Sequence, residues 1–238
     1  MAAFVLVHGA WHGAWCWSRV LPALRAGGHS AHAVTLTGVG ERSHLLSRDI
    51  TLGTHVTDVV NLITCEELAD VVLVGHSYGG LVITGVADQL LRGASSLQHL
   101  VYIDAVVPHP GESWSSHHRA ELVAQRLAAA AAHPQGALPP PDAALYGLTG
   151  ADAAWVNRRQ TPHPFGMYRE PLNFDAARVG GVPRTFIDCT SPAWPSIAPM
   201  RQRVRAEAGW RVRELATGHD AMVGAAGPLA QLLLEAGA

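Results

Sequence analysis

Residues 72–80 (Val-Leu-Val-Gly-His-Ser-Tyr-Gly-Gly) constrain this chain more than any other stretch. An apolar, β-branched run typical of a buried strand ends in Gly-His-Ser-Tyr-Gly, and a helix-compatible run of small residues follows to Leu91. In this strand–turn–helix setting, the G-x-S-x-G pattern predicts a nucleophile elbow, a turn so sharp that its serine is strained and held outward. Gly75 and Gly79 fit because a side chain there would collide with the neighbouring strand and helix. We therefore predict that Ser77 is a nucleophile.

Strand and helix patterns alternate along most of the chain. Apolar runs predict strands at 2–7, 30–36, 70–75, 97–103, 184–188 and 211–216, and helices are predicted at 16–27, 54–68, 80–91, 197–208 and 220–235. This order predicts an α/β fold, with a mainly parallel, twisted sheet and helices on both faces. Ligands bind such sheets at the carboxyl ends of the strands. We expect a single domain over residues 1–238.

The alternation breaks down between about residues 108 and 180. This segment contains an alanine-rich run (about 119–132), a Leu-Pro-Pro-Pro run at 138–141 and one or two short helical patterns near 142–160. We interpret it as a helical cap inserted over the site. Among its aromatic residues, Trp155 is our candidate for substrate contact, together with Trp11 in the first loop, because small-molecule pockets are mostly apolar and aromatic.

Composition argues against several classes of partner. The chain is 48% hydrophobic and 15% charged, with a net charge of −2 and no run of like charges, which disfavours nucleic acid and anionic membranes. No apolar run is long enough to span a membrane, and no signal peptide is evident. We therefore expect a small hydrophobic substrate, with a monomer and a homodimer both open.

The types of basic residue and cysteine carry two further inferences. All 17 basic residues are arginine, which excludes Schiff-base chemistry on lysine and, with abundant Ala, Gly and Pro, is typical of a GC-rich bacterial genome. The three widely spaced cysteines are interpreted as small core residues in a reducing cytoplasm.

Serine needs a base to become a nucleophile, and His219 is the best candidate. It follows the last predicted strand in Thr-Gly-His-Asp, at the edge of the sheet where Ser77 falls. We predict that it acts as general base and then as general acid. We interpret His76, inside the elbow, as structural, and we expect His8 and His12 to shape the first loop. His109, His117 and His118 do not have the spacing of metal ligands, and we interpret them as surface residues.

Five segments together resemble the α/β-hydrolase superfamily, in the branch that contains small esterases, plant methylesterases and hydroxynitrile lyases. They are Val-His-Gly-Ala-Trp-His-Gly-Ala-Trp-Cys-Trp (7–17), Leu-Thr-Gly-Val-Gly-Glu-Arg (36–42), Gly-His-Ser-Tyr-Gly-Gly (75–80), Gln-Thr-Pro-His-Pro (160–164) and Thr-Gly-His-Asp (217–220). The resemblance implies ester hydrolysis through an acyl-serine, with Ser77 as nucleophile and His219 as base. It also implies an oxyanion hole formed by the backbone N–H groups of Ala10 and Tyr78, and neither a metal nor an organic cofactor.

Two other functions stay open beside ester hydrolysis. One is non-hydrolytic chemistry on the same serine and histidine, such as C–C cleavage or cyclisation in secondary metabolism. The lyases of the branch carry a threonine and a lysine, whereas this chain has Ala10 in the relevant loop and no lysine. The other is a degenerate, ligand-binding member, against which the retention of Ser77 and His219 argues.

The acid of the triad is missing from its usual place. Similar proteins carry it on the turn after the strand that precedes the histidine strand, but no Asp or Glu occurs here from 189 to 206. Asp104, at the end of the strand after the elbow, is our first candidate, although it is equally suited to capping its own loop. Asp188 is the alternative, and Asp220 adjoins His219 too closely in sequence to bond its ring.

Overall fold

A six-stranded parallel sheet, in the order β2-β1-β3-β4-β7-β8, forms the centre of the computed structural model, which describes residues 1–93 and 96–237. Within those residues the strands are β1 (Ala3–Val7), β2 (Ser30–Val34), β3 (Val71–His76), β4 (Leu97–Ile103), β5 (Ala137–Leu138), β6 (His163–Pro164), β7 (Arg184–Cys189) and β8 (Trp210–Leu215). The α-helices are α1 (Leu21–Ala26), α2 (Leu52–Cys65), α3 (Gly79–Arg92), α4 (Ala120–Ala132), α5 (Gly150–Asn157), α6 (Ala176–Gly180), α7 (Ala198–Ala206), α8 (Ala221–Gly224) and α9 (Ala226–Ala236). Short 3₁₀ turns span Ala14–Trp17, Gly40–Leu45, Ala143–Tyr146, Gly166–Tyr168 and Pro195–Ile197.

The predicted α/β fold is confirmed, with two differences in the helices. The helix expected at 16–27 is a 3₁₀ turn followed by the short helix α1. The helix expected at 220–235 is broken at Ala225 (φ −143°, ψ 42°), so that α9 begins two residues before Pro228. Proline lacks an N–H group and fits a helix only in its first turn, so the chain restarts the helix there.

Strand β3 lies at the centre of the sheet and is buried along its whole length, as is β1 beside it. In register, Val7 pairs with Gly75, Gly75 with Tyr102, and Ile103 with Ile187. Because neighbouring strands are parallel, β1, β3, β4 and β7 all end at one edge of the sheet. The loops that follow these four strands are therefore brought together by the fold.

The elbow after β3 is clamped to the loop after β4. The Ser77 N–H donates to the Ile103 carbonyl (3.2 Å), and the Val106 N–H donates to the Ser77 carbonyl (3.0 Å). Ser77 has a φ of 53°, in the left-handed region that non-glycine residues avoid. Gly80 allows the close approach, since a Cβ there would lie 2.1 Å from the Val106 carbonyl oxygen.

Residues 108–180, which we call the cap segment, lie between β4 and β7 and contain α4, α5, α6 and the two-stranded pair β5–β6. The described residues, 1–93 and 96–237, include no helix with the length and apolar character that crossing a membrane requires. Cys16 and Cys189 are buried, as expected, but Cys65 is exposed at the end of α2, so the interpretation of all three cysteines as core residues is wrong for Cys65.

The contact between Gly80 and Val106 predicts a large loss of stability for Gly80→Ala. The added methyl group meets a backbone carbonyl that hydrogen bonds on either side hold in place, so we expect unfolding to become easier by roughly 1–3 kcal/mol or more. Gly227→Ala in α9 is the matched control, because its Cβ meets no atom within 4 Å and alanine favours helix. We expect it to stabilise the protein by roughly 0.4–1 kcal/mol. Urea unfolding of both variants checks the pair, and equal midpoints would contradict the clamp.

Candidate active site

Ser77, His219 and Asp104 are brought into one hydrogen-bonded chain. His219 Nε2 lies 3.0 Å from Ser77 Oγ, and His219 Nδ1 lies 2.6 Å from Asp104 Oδ2. An ionised carboxylate only accepts hydrogen bonds, so Nδ1 carries the proton and Nε2 presents its lone pair to the serine hydroxyl. His219 and Asp104 are buried, at 3% and 0% exposure. The geometry suits a serine activated by a histidine whose tautomer a carboxylate fixes.

Asp188 does not contact His219. Its carboxylate accepts from Arg201 Nε (2.5 Å) and from Arg205 (2.7 Å). Arg201 also donates to Asp104 Oδ1 (2.5 Å), so one guanidinium joins the two aspartates at the ends of β4 and β7. Of the two candidate acids, the structure brings only Asp104 to the histidine ring.

The turn after β7, residues 189–195, supplies an aromatic ring in place of a carboxylate. The Trp194 indole stacks on the His219 imidazole, with ring centres 5.2 Å apart and planes 21° from parallel. Arg201 holds this turn by donating to the Trp194 carbonyl (2.7 Å) and the Cys189 carbonyl (3.2 Å). Trp194 therefore fixes the face of the ring, while Asp104 fixes its edge.

His8 supports the peptide that carries one predicted oxyanion donor. Its Nε2 accepts from the Leu36 N–H (3.1 Å), so its Nδ1 carries the proton and donates to the Gly9 carbonyl (2.7 Å), at the other end of the peptide whose N–H belongs to Ala10. Burial lowers the pKa of His8 to about 3, which keeps the ring neutral. Within residues 1–93 and 96–237, neither the Ala10 nor the Tyr78 N–H donates to a protein acceptor. Both predicted donors are thus available to a ligand.

A buried ion pair supports the next peptide. His12 Nδ1 lies 2.8 Å from the Ala10 carbonyl, and His12 Nε2 lies 3.0 Å from Asp220 Oδ2. Both partners are acceptors, so both ring nitrogens donate and the ring is an imidazolium. Burial opposes this charge, but the Asp220 carboxylate raises the pKa of His12 above its ordinary value. Asp220 therefore pairs with His12 and not with the adjacent His219.

A small cavity of about 30 Å³, room for about one water, adjoins Ser77 and His219. It shares Trp11, Arg126, Trp194 and Ser196 with a larger groove of about 790 Å³. The groove is otherwise lined mainly by apolar residues of the cap segment and of the turn after β7: Leu122, Ala129, Leu138, Pro139, Pro140, Pro141, Leu145, Pro192, Ala193 and Pro195. Its volume is typical of a small-molecule site.

Trp11 lines both spaces, whereas Trp155 lines neither. The Trp155 indole packs edge-on against Trp15 (5.1 Å) and beneath the guanidinium of Arg159 (4.6 Å). The prediction that Trp155 contacts substrate finds no support in this position. Its neighbours in sequence gave no sign that α5 turns it away.

His117 and His118 were expected at the surface, and this is wrong. Both are half-buried and line the inner cavity, whereas His109 is exposed, as expected. Burial lowers the pKa of His118 to about 3, and its Nδ1 lies 2.9 Å from the Tyr168 hydroxyl. In the described parts of the chain, no group of three His, Cys, Asp or Glu side chains is arranged to hold a metal ion.

Three features of the site escaped the sequence analysis: Arg201, the His12–Asp220 pair and Arg126. Arg201 had a signal, because two aspartates that end neighbouring strands, Asp104 and Asp188, require a cation between them once both are buried. The His12–Asp220 pair had no such signal in the sequence, because its two members are 208 residues apart. Arg126 had none either, because the aromatic residues around it come from several separate segments.

The low pKa of His8 predicts a specific acid sensitivity. The unfolded chain takes up a proton on this ring near pH 6.5 and the folded protein only near pH 3, so stability is lost as pH falls between those values. Each such histidine contributes about 1.4 kcal/mol per pH unit to the slope. His8→Asn keeps a donor and an acceptor but cannot titrate, so we expect a slope smaller by about that amount between pH 5.5 and 4.5. Urea unfolding of both proteins at several pH values measures the slope, and equal slopes in wild-type protein and His8→Asn would contradict this prediction.

Comparisons with known proteins agree with this fold. The carbendazim hydrolyzing esterase of Nocardioides sp. (strain SG-4G) is 40% identical, with 100% of both chains covered, and Methylesterase 10 of Arabidopsis thaliana is 33% identical over 44% of this chain and 38% of its own. Among solved structures, an extracellular α/β-hydrolase from a Paenibacillus species superimposes with a TM-score of 0.85 (23% identity, 99% of both chains), and tomato methylketone synthase I with 0.74 (21% identity, 98% and 96%). These two likenesses concern the fold.

The match to the sequence model of the alpha/beta hydrolase family covers residues 4–232, nearly the whole chain. Together with the full-length relative, it establishes the relationship that the five segments indicated. The chain belongs to the α/β-hydrolase family.

Proposed function

We propose that this protein is a carboxylic-ester hydrolase that works through an acyl-Ser77 intermediate, with His219 as general base and acid and Asp104 as the third member of the triad. The observation that carries the proposal is the continuous chain from Ser77 Oγ through both nitrogens of His219 to Asp104. The full-length esterase relative, at 40% identity, supports the same reaction.

Acylation begins when Ser77 Oγ attacks the ester carbonyl and His219 Nε2 takes the hydroxyl proton. The developing negative oxygen accepts hydrogen bonds from the Ala10 and Tyr78 N–H groups. Asp104 stabilises the imidazolium that forms, because its Oδ2 already accepts from Nδ1 at 2.6 Å. His219 then donates the proton to the leaving alkoxide, and the alcohol departs.

Deacylation repeats these steps with water. His219 Nε2 removes a proton from a water that attacks the acyl-Ser77 carbonyl, and the same N–H groups stabilise the second tetrahedral intermediate. The proton returns to Ser77 Oγ as the carboxylic acid leaves. The sequence of steps consumes one water and regenerates the serine, and it uses neither a metal nor an organic cofactor.

The substrate that we propose is medium-sized and largely apolar. The groove of about 790 Å³ next to the triad is lined mostly by proline, leucine, alanine and tryptophan side chains. The structure of tomato methylketone synthase I holds 2-tridecanone, and the full-length relative is named for hydrolysing carbendazim. Carbendazim therefore belongs among the first compounds to assay.

We propose a bacterial origin and a reducing compartment, the cytoplasm, for this protein. The exposed free thiol of Cys65 supports that placement, because exposed thiols persist where glutathione and thioredoxin keep them reduced. A monomer and a homodimer are both compatible with the proposed mechanism, since the proposed catalytic groups belong to a single chain.

Covalent labelling tests whether Ser77 is the nucleophile. A fluorophosphonate probe should label the folded wild-type protein at Ser77, because His219 is placed to take the hydroxyl proton. Ser77→Ala should not be labelled. Its rate of hydrolysis should fall roughly to the residual rate that substrate binding and the oxyanion hole provide without the triad. The label is located by mass spectrometry of the digested protein.

Hydrolysis in isotopically labelled water separates ester cleavage from the other reactions of this fold. The acid product should carry one oxygen from solvent, because water attacks the acyl-enzyme. Wild-type protein that turns substrate over without incorporating solvent oxygen performs C–C cleavage or cyclisation. A folded wild-type protein that the probe does not label is a ligand-binding member.

Removal of each candidate acid, Asp104 or Asp188, should affect kcat and stability differently. Asp104→Asn should reduce kcat by about 10⁴, because the amide favours the wrong tautomer of His219. Asp188→Asn should retain most of kcat, because its carboxylate contacts Arg201 and Arg205 and not the ring, and it should lose roughly 1–3 kcal/mol of stability. Steady-state kinetics and urea unfolding measure both variants. A larger loss of kcat in Asp188→Asn than in Asp104→Asn would contradict the assignment of Asp104 as the third member of the triad.

A further inference from the structure

Arg126, on α4, places a positive charge in the wall of the site. It is half-buried and lines both the inner cavity beside Ser77 and the larger groove. Its guanidinium carbon lies 5.0 Å from the ring centre of Trp114, 5.3 Å from that of Tyr168 and 5.8 Å from that of Trp11. Three aromatic faces from separate segments therefore hold the group in place.

The N–H groups of Arg126 are largely unused. A guanidinium has five N–H donors, and in the described part of the chain the polar side chains that Arg126 meets are His118, whose Nδ1 lies 3.5 Å away, and the Tyr168 hydroxyl. Tyr168 also reaches that nitrogen, at 2.9 Å, so this one acceptor is shared. No carboxylate of the described residues lies within 4.0 Å of Arg126. Contacts with aromatic faces leave the donors in the plane of the guanidinium free.

Two other sheltered arginines, Arg201 and Arg203, are paired with carboxylates. Arg201, whose side chain is 13% exposed, contacts Asp104 and Asp188, and Arg203, at 11%, contacts Glu112. A sheltered charge without a partner is costly, which is why proteins pair such groups. Arg126 has no such carboxylate partner among the residues that the structure describes, and it lines the space beside Ser77 where a ligand would bind, so the carboxylate is expected to come from the ligand.

We propose that Arg126 forms a carboxylate subsite, and that the preferred substrates are half-esters, in which an apolar chain carries the scissile ester at one end and a free carboxylate at the other. The planar guanidinium fork matches a carboxylate in a two-bond geometry, and the apolar groove accommodates the chain between the two ends. The proposal rests on the proposed ester hydrolysis at Ser77, and it adds a charged group to a substrate that is otherwise hydrophobic.

Matched substrates test the subsite directly. The monomethyl esters of linear dicarboxylic acids are compared with the dimethyl esters of the same acids, which keep the chain and remove the charge. Because charge-assisted hydrogen bonds are the strong ones, wild-type protein should prefer one or two half-esters of the series, by roughly 10- to 100-fold in kcat/KM. The optimum chain length then reports the distance from Ser77 to the guanidinium.

Variants assign that preference to Arg126. Arg126→Met keeps an unbranched, apolar side chain against the aromatic rings, and it should bring the half-ester to diester ratio close to one, mainly by raising KM for the half-ester. Arg126→Lys should restore part of the ratio, since it keeps the charge without the fork. Arg159→Met is the control, because Arg159 also lies over a tryptophan but is exposed and lines neither cavity. It should leave the ratio unchanged.

Inhibition of wild-type protein gives a second measurement, which does not depend on whether a variant folds. Linear monocarboxylates should compete with a neutral ester substrate more tightly than primary alcohols of equal length. A preference that persists in folded Arg126→Met, or equal inhibition by acids and alcohols, would overturn the carboxylate subsite while leaving ester hydrolysis intact. Failure of wild-type protein to hydrolyse either ester series would instead count against the proposed function.

Discussion

The rest of the site depends on the two hydrogen bonds that the buried Asp104 carboxylate accepts. One of its oxygens accepts from His219 Nδ1 and the other from Arg201, so the buried charge is matched on both sides. Without Arg201, two aspartates would face each other at the ends of neighbouring strands, at a desolvation cost of several kcal/mol per ion. The same guanidinium also binds two carbonyls of the turn after β7 and so sets the position of Trp194. A single cation thus contacts both aspartates and the turn that carries the ring covering His219.

Asp104, the proposed acid, lies at the end of β4, next to the end of β7 where the sequence comparison with the family led us to look for it. Strands β4 and β7 are parallel neighbours, with Ile103 opposite Ile187, so Asp104 and Asp188 leave the sheet side by side. Of these two neighbouring carboxylates, that of Asp104 reaches the His219 ring and that of Asp188 is held by Arg201 and Arg205. The turn after β7 carries no carboxylate in this chain, and its Trp194 lines the large groove.

The elements that depend on local pattern were predictable from the sequence. The elbow, the order of the large-sheet strands and the edge at which the site forms follow from apolar runs, glycine spacing and strand polarity. Which of Asp104 and Asp188 contacts His219 was not predictable, because both lie at the ends of neighbouring strands and the need for a cation between them does not show which one faces the ring. Burial of His118 and the surroundings of Arg126 depend on how the cap segment packs, and its sequence has no clear period that would predict this packing.

Among the described residues, three of the five non-glycine residues with positive φ lie where the proposed chemistry takes place. Trp11, Ser77 and Asp104 all have positive φ (66°, 53° and 41°), and they follow β1, β3 and β4, three neighbouring strands. Each such conformation costs of order 1–3 kcal/mol and persists only where the surroundings enforce it.

Hydrogen bonds across the strand ends provide that enforcement. The Ser77 N–H donates to Ile103, the Asp104 N–H to Ile187 at 2.8 Å, and the Trp11 N–H points to His163 Nδ1 at 3.4 Å. The backbones of Ser77 and Asp104 are therefore held by the large sheet, whereas the Trp11 loop, which follows the proposed oxyanion donor Ala10, is held by His163 of β6 in the cap segment. Because the inner cavity has room for about one water, a larger substrate can reach Ser77 only if the side chains that line the cavity, or the cap segment that carries several of them, shift.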